Sequence, residues 1–393
     1  IRSLPSSLTN RSNLRMLCLY GLSVTPDISI LKDLKNLEIL SLRGVHITRL
    51  APEIRQLTRL RLLDLKDCYY LEVIPPNVIS SLHRLEELYM PPRFDKWEVE
   101  ATNNMRSKAS IVELESLPLL TSLEIHIPKH VAFLLKIPSE KLSRFKISVG
   151  SRLYVDEDDD SLTRVLKLED IPLKDELKVL LERIEALYLK KLKGLETFLH
   201  NRERGQFTGL KLLKVAKCDG IKYLFSPSIA RGLVQLRQLQ IEGCENMEEI
   251  IGSYQREGDE EQVVFQQLKI MKLSELPSLR SFYPKMMKSS AEEGNPSTPA
   301  QTLFSHKVAF PCLEILTIES LDNIKEIWDD NQSESFSQLR TLDVSDCHKL
   351  LNYVFPSNML PRLQNLEKLS VWNCESVEGL NVEDKLSTAA TTI

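Results

Sequence analysis

The chain has 393 residues, with 51 Lys and Arg against 55 Asp and Glu, a formal net charge of −4. That balance argues against nucleic-acid binding by bulk charge, which would show as a basic domain. Hydrophobic residues at 42% and charged residues at 27% exclude disorder over the whole length. No apolar run approaches the roughly 20 residues needed to span a bilayer, and no signal-peptide pattern opens the chain. Length alone suggests about two or three globular domains. Leucine upsets that expectation, with 67 residues against only 13 Gly.

Taken in chain order, the spacing L-x-x-L-x-L recurs along nearly the whole sequence. It appears at Leu14-Leu17-Leu19, Leu37-Leu40-Leu42, Leu60-Leu63-Leu65 and Leu85-Leu88-Met90. Leu120-Leu123-Ile125, Leu142-Phe145-Ile147 and Thr163-Leu166-Leu168 follow, then Ile184-Leu187-Leu189 and Leu210-Leu213-Val215. The last five are Leu236-Leu239-Ile241, Leu268-Met271-Leu273, Leu313-Leu316-Ile318, Leu339-Leu342-Val344 and Leu366-Leu369-Val371. About fourteen units with a period in the low to middle twenties fit leucine-rich repeats. The second and third apolar positions stand two apart, so they share one face of a short strand. One unit cannot bury that face alone, whereas stacked units with parallel strands can.

After each strand the apolar positions recur every three residues, as in Cys68-Leu71-Ile74, Leu192-Leu195-Phe198, Cys218-Ile221-Leu224 and Cys244-Met247-Ile250. Leu276-Leu279-Phe282 and Leu321-Ile324-Ile327 repeat the pattern. This predicts an irregular or 3₁₀-like return along the convex side. Pro227 to Leu236 and Pro356 to Leu366 read as short convex helices. The predicted fold is therefore α/β, a curved leucine-rich-repeat solenoid over residues 1–380. Its parallel sheet lies on the concave face, with irregular loops and short helices on the convex one. Insertions are expected near 91–111, 252–265 and 283–310, and a tail over 381–393. The scarcity of Gly suggests turns set by stacking.

Five of the seven Cys (Cys68, Cys218, Cys244, Cys347, Cys374) stand eight residues after the first apolar residue of their unit. In this repeat class that position turns inward and holds Asn or Cys. No C-x-x-C pair suggests a metal site, and a ladder of odd thiols points to a reducing compartment. His126 and His130 lack a Cys, Asp or Glu partner at matching distance and read as surface imidazoles. No phosphate-binding loop, dinucleotide fingerprint or nucleophile elbow occurs, so no catalytic, cofactor or metal residue is expected. Asp156 to Asp160 read as a solvated acidic loop. The sequons at Asn10 and Asn331 are short enough to arise by chance.

The polar strand positions form columns. The first reads Cys18, Ser41, Asp64, Tyr89, Glu124, Lys146, Lys167, Tyr188, Lys214, Gln240, Lys272, Thr317, Asp343, Ser370. A basic patch with one aromatic emerges in the middle: Arg144, Lys146, Lys167, Tyr188, Lys190 and Lys214, with Trp372 at the far end of the neighbouring column. Exposed charge beside an aromatic anchor is the composition of a protein-recognition surface.

LPSSLTNRSNLRMLCL, APEIRQLTRLRLLDLKDC and IPPNVISSLHRLEELYM resemble the repeats of plant nucleotide-binding leucine-rich-repeat resistance proteins. KWEVEATNNMRSKASIVELESLPLLTSLEIHIP, LKLLKVAKCDGIKYLF and LQIEGCENMEEII resemble more specifically the coiled-coil class of those receptors. The resemblance implies an intracellular, cytoplasmic immune-receptor region in plant defence. It would bind a pathogen effector or a guarded host protein and restrain the nucleotide-binding domain of the same receptor. No cofactor is expected on this chain, since ADP or ATP would sit on that other domain. Neither nucleic acid nor a membrane segment is implied. The chain opens at Ile1-Arg2-Ser3-Leu4-Pro5, which reads as the tail of a unit without its strand, so a fragment is expected. A generic interaction scaffold, such as the substrate receptor of a ubiquitin ligase, is the alternative. An extracellular ectodomain would keep an L-x-G-x-I-P signature and Cys-paired caps, and neither occurs.

Overall fold

The computed structural model describes residues 8, 13–22, 29–99, 107–134, 140–150, 161–172, 178–195, 207–252, 262–284, 302–329, 335–356, 359 and 362–381. The opening residues, the run Asp156 to Asp160, both sequons and most of the tail lie outside that set. The chain divides into two compact units, Ile1–Leu180 and Leu181–Ile393.

The first unit carries β1 (Met16–Cys18), β2 (Ile39–Ser41), β3 (Leu62–Asp64), β4 (Glu87–Tyr89), β5 (Ser122–Pro128), β6 (Arg144–Gly150) and β7 (Arg164–Glu169). Each pairs in parallel with the next in chain order. The inward leucines Leu40, Leu63, Leu88 and Leu123 stack in register and are fully buried. Burying each contributes about 1.5–3 kcal/mol, which is why a three-residue strand persists. Between strands the chain returns through 3₁₀ turns at Ser29–Asp33, Pro52–Gln56, Ile111–Ser116 and Lys129–Leu134.

The second unit carries β8 (Ala186–Lys190), β9 (Leu212–Ala216), β10 (Tyr223–Phe225), β11 (Gln238–Glu242), β12 (Glu249–Ile251), β13 (Val263–Val264) and β14 (Ile270–Ser274). It continues with β15 (Thr302–Phe304), β16 (Val308–Ala309), β17 (Ile315–Glu319), β18 (Glu326–Trp328), β19 (Thr341–Ser345), β20 (Asn352–Phe355), β21 (Lys368–Trp372) and β22 (Val377–Asn381). Its main sheet runs β8-β9-β11-β14-β17-β19-β21, all parallel. The return here is more regular than the three-residue spacing predicts. β10 pairs with β12, β13 with β16, β15 with β18 and β20 with β22. Apolar residues three apart suit a bent extended chain as well as a 3₁₀ turn, and adjacent extended returns gain ladder hydrogen bonds. The helix expected from Pro227 forms over Pro227–Gly232, with Ser226 as its N-cap. Much of its counterpart at 356–366 lies outside the described residues.

The return of the second unit buries a spine of rings that the leucine pattern does not announce. Phe310 lies 5.5 Å from Phe265, 5.1 Å from Phe282, 5.5 Å from Phe304 and 5.5 Å from Phe336. Trp328 extends the spine to Phe336 at 4.6 Å and to Phe355 at 6.2 Å. The signal is F-x-x-L ahead of a strand: Phe207-Leu210, Phe265-Leu268, Phe310-Leu313 and Phe336-Leu339.

The turns are a second departure. A residue in the left-handed region closes most strands. These are Gly21, Gly44, Asp67, Asp170, Lys191, Lys217, Gly243, Glu275, Ser320, Asp346 and Asn373, with φ from 51 to 68°. Each non-glycine there costs roughly 1–2 kcal/mol. The geometry persists because the N–H meets the neighbouring repeat, as in Lys191 to Ala216 O at 2.9 Å and Lys217 to Glu242 O at 2.8 Å. Stacking therefore sets the turn, as the low Gly content suggests, but at a strain the sequence does not reveal.

The turn delivers the next side chain inward. Cys68, Cys218, Cys244 and Cys347 are buried as expected, and Cys374 is half-buried. Their thiols face backbone carbonyls: Cys68 Sγ donates to Leu42 O at 3.0 Å and Cys347 Sγ to Ser345 O at 3.3 Å. Burial pushes the Cys68 thiol up to about 11 and those of Cys244 and Cys347 up to about 12. An unfolded thiol ionises near 9, so above that pH the unfolded state releases protons that the folded state retains. Stability from these thiols is full below pH 9 and falls as pH rises toward 11–12. Urea midpoints measured from pH 8 to 11 are expected to decline, and less steeply in a Cys244→Ala, Cys347→Ala variant.

The base of the 91–111 segment is held by packing. Phe94 and Trp97 are buried and meet edge to face at 5.1 Å. Beyond it, Glu113 is buried and binds three backbone N–H groups: Asn77 at 2.9 Å, Ile79 at 3.1 Å and Ser80 at 3.1 Å. The carboxylate satisfies a turn that no strand ladder reaches. Glu113→Ala is expected to cost about 2–3 kcal/mol in urea unfolding, whereas Glu113→Gln, which keeps one acceptor oxygen, should cost about half that.

Candidate functional site

The outer face of the sheet follows the predicted columns over most of its length. In the first unit Cys18, Ser41, Asp64, Tyr89, Glu124 and Lys146 stand side by side. In the second, Tyr188, Lys214, Gln240, Lys272, Thr317, Asp343 and Ser370 do the same. The exception is β7. The columns require Lys167 beside Lys146, but Lys146 pairs with Val165 and Lys167 pairs with Ser148. The register is displaced by two residues, which keeps every side chain on its own face.

In this register Gly150 pairs with Glu169 at the end of β6. Its φ is +113°, and a Cβ there would fall 1.8 Å from Glu169 O. The two chains approach so closely at the end of β6 that only glycine fits.

The displacement creates a recess. Met90, Pro92, Glu124, Ile125, His126, Lys146, Ile147, Ser148, Val165 and Lys167 line a cavity of about 80 Å³ on the outer face of β5–β7. β5, β6 and β7 are seven, seven and six residues long, against three for β1 to β4. His126, expected on the surface, is buried, with Nδ1 2.9 Å from Ser148 Oγ. His130 is exposed, as expected. Lys167 and Tyr188, both expected in solvent, are 9% and 8% exposed. Outer-face exposure depends on neighbouring side chains, which alternation does not specify.

The remaining predicted residues divide between the units. Arg144 is exposed and meets Glu87 at 3.0 Å. Such a pair in water contributes little, about 0–1 kcal/mol. Lys190 and Lys214 are half-buried in the second unit, where Lys214 Nζ lies 5.4 Å from the Tyr188 ring centroid. Trp372 is 61% exposed on β21. A cation the columns did not single out, Lys66, contacts Glu124 at 2.5 Å and lies 4.5 Å over the Tyr89 ring. Burial first, and then the Glu87 carboxylate, push the Tyr89 phenol above its ordinary range.

Among the described residues, no cluster of three or more His, Cys, Asp or Glu is placed to hold a metal ion. No helix among them is long and apolar enough to cross a membrane.

Short parallel strands with inward leucines, repeated turns and a polar outer face define a leucine-rich-repeat solenoid, a class built for protein–protein interaction. The family model for the leucine-rich repeats of plant RPS2-like disease resistance proteins matches residues 95–245 and 312–391. The match covers more than half of the chain, and the chain belongs to that family.

No curated protein matches the chain. Among similar solved structures is the functional domain of an internalin from Listeria monocytogenes, at 15% identity and a TM-score of 0.46, covering 90% of this chain and 72% of that one. A second internalin of that organism gives 13% and 0.38, covering 98% and 81%. A leucine-rich-repeat protein of Leptospira interrogans gives 16% and 0.38, covering 99% and 90%.

Proposed function

We propose that this chain is the recognition and autoinhibitory region of an intracellular plant immune receptor. The single observation that carries the reading is the family match, which spans strands of both units. The outer face would bind a pathogen effector or a guarded host protein. The same repeats would hold a nucleotide-binding domain in its ADP-bound resting state, and a ligand that binds the released form better would shift the balance. On this reading the chain acts by differential binding, and nucleotide chemistry belongs to the other domain. The cytoplasm is the matching compartment, since four inward thiols stand without disulfides.

The test begins with the transcript upstream of Ile1. A phosphate-binding loop there supports the receptor reading, and an F-box would replace it with the ubiquitin-ligase alternative. The encoded nucleotide-binding region is then expressed in leaves with and without this chain in trans. Cell death suppressed by the chain is the expected result. Equal cell death in both would remove the autoinhibitory role.

A further inference from the structure

We propose that a notch on the outer face of β17, β19 and β21 is an anchor site for one arginine side chain of a protein partner. The inference rests on reading the chain as a protein-recognition domain. One row of the sheet runs Glu242, Ser274, Glu319, Ser345 and Trp372 across β11, β14, β17, β19 and β21, each residue paired with the next. Long and small side chains alternate along it. At its end Glu319 and Trp372 stand on either side of Ser345, two strand spacings and so roughly 10 Å apart. A serine floor between two long walls leaves room for one side chain.

The chemistry of the walls selects the occupant. Trp372 is 61% exposed, and its indole has no ring or cation partner among the described residues. Trp97 and Trp328, by contrast, are each 4% exposed. Glu319 is exposed too, and among the described residues no ion pair or side-chain hydrogen bond engages its carboxylate. The neighbouring row adds Thr317, Asp343 and Ser370. Asp343 meets Lys368 at 3.8 Å, and Asp346, on the turn after β19, accepts a hydrogen bond from Asn373. Lys272 lies one strand beyond Glu319, on β14, and Lys349, further along the return, meets Asn323 at 3.4 Å. The wall facing the indole is thus an unneutralised carboxylate. A planar guanidinium stacks on an indole and forks two N–H bonds to a carboxylate at the same time. A lysine ammonium carries the charge without the plane or the fork.

Two probes test the notch. Because Trp97 and Trp328 are buried, quenching of tryptophan emission by dissolved ions reports on Trp372. Relative to free tryptophan amide, caesium should quench better and iodide worse, and Glu319→Gln should narrow the difference. No difference, or one of opposite sign, would overturn the negative setting of the ring and the notch with it. The second probe is a displayed library of random dodecapeptides selected on the whole chain. The expected outcome is Arg enriched at one fixed position. A synthetic peptide of that sequence should bind roughly tenfold more weakly to Glu319→Gln and roughly two- to fivefold more weakly to Trp372→Leu, with Trp372→Phe recovering part of the loss. Glu115→Gln, which alters an exposed carboxylate of the first unit, should leave binding unchanged. Unaltered thermal unfolding of each variant separates lost contact from lost fold. Peptides selected without an Arg position, or with one indifferent to both Glu319 and Trp372, would overturn the notch while leaving the recognition reading intact. No enrichment at all would overturn both. Lys in place of the Arg, if it bound as tightly, would overturn the choice of a guanidinium.

Discussion

Gly150→Ala is expected to destabilise the first unit by about 2–6 kcal/mol. Two effects add. The backbone at +113° lies in a region that costs an L-residue roughly 1–3 kcal/mol. The added methyl would meet Glu169 O at 1.8 Å, and relieving such overpacking costs about 1–3 kcal/mol more. The obstacle is backbone, so no side-chain rotation resolves it, and β6 and β7 must separate. Urea denaturation gives the magnitude. Hydrogen exchange should show the loss concentrated in Arg144–Gly150 and Arg164–Glu169. A variant as stable as the parent would mean that the close approach does not govern the register of β7.

Phe310→Ala should cost the second unit about 3–5 kcal/mol, the range for deleting a fully buried aromatic side chain. Its ring touches four others, so the void opens at the centre of the spine and each neighbour loses an edge or face contact of about 0.5–1.5 kcal/mol. Phe310→Leu retains much of the volume and should cost about half as much. In repeat proteins stability is a sum of units and nearest-neighbour interfaces. The transition is therefore expected to broaden or split as β13, β15, β16 and β18 loosen before the rest. A small loss with an unchanged single transition would contradict the spine's role.

Leucine spacing made the fold legible because the inward positions do one job, repeated. In the second unit the columns from Tyr188 to Ser370 hold throughout, since every strand repeats the same two-residue phase. The column failed at β7 for a definable reason. Thr163-Leu166-Leu168 fits the repeat, yet Val165 and Lys167 can shift by two and keep the same faces. Alternation is blind to a slip of two, and the close approach at Gly150 that accompanies it is a backbone contact that no side-chain pattern encodes. His126 illustrates a second limit, because lengthened neighbouring strands and a rim bury an outward residue. The phenylalanine spine was available in F-x-x-L but lies outside the strand motif. Glu113 was not legible, since its three N–H partners lie 33 to 36 residues earlier.

The proposed function turns on binding through the outer face of the sheet. The most direct measurement reverses charge there in the receptor proposed to contain this chain, with Lys146→Glu, Lys167→Glu and Lys214→Glu combined. A control reverses charge at three exposed positions away from that face, Arg59, Lys193 and Lys349. Effector-triggered and resting cell death are read in leaves at matched protein levels. The expected result is that the outer-face variant loses the triggered response or gains resting activity while the control behaves as the parent. Two variants that both match the parent would contradict it.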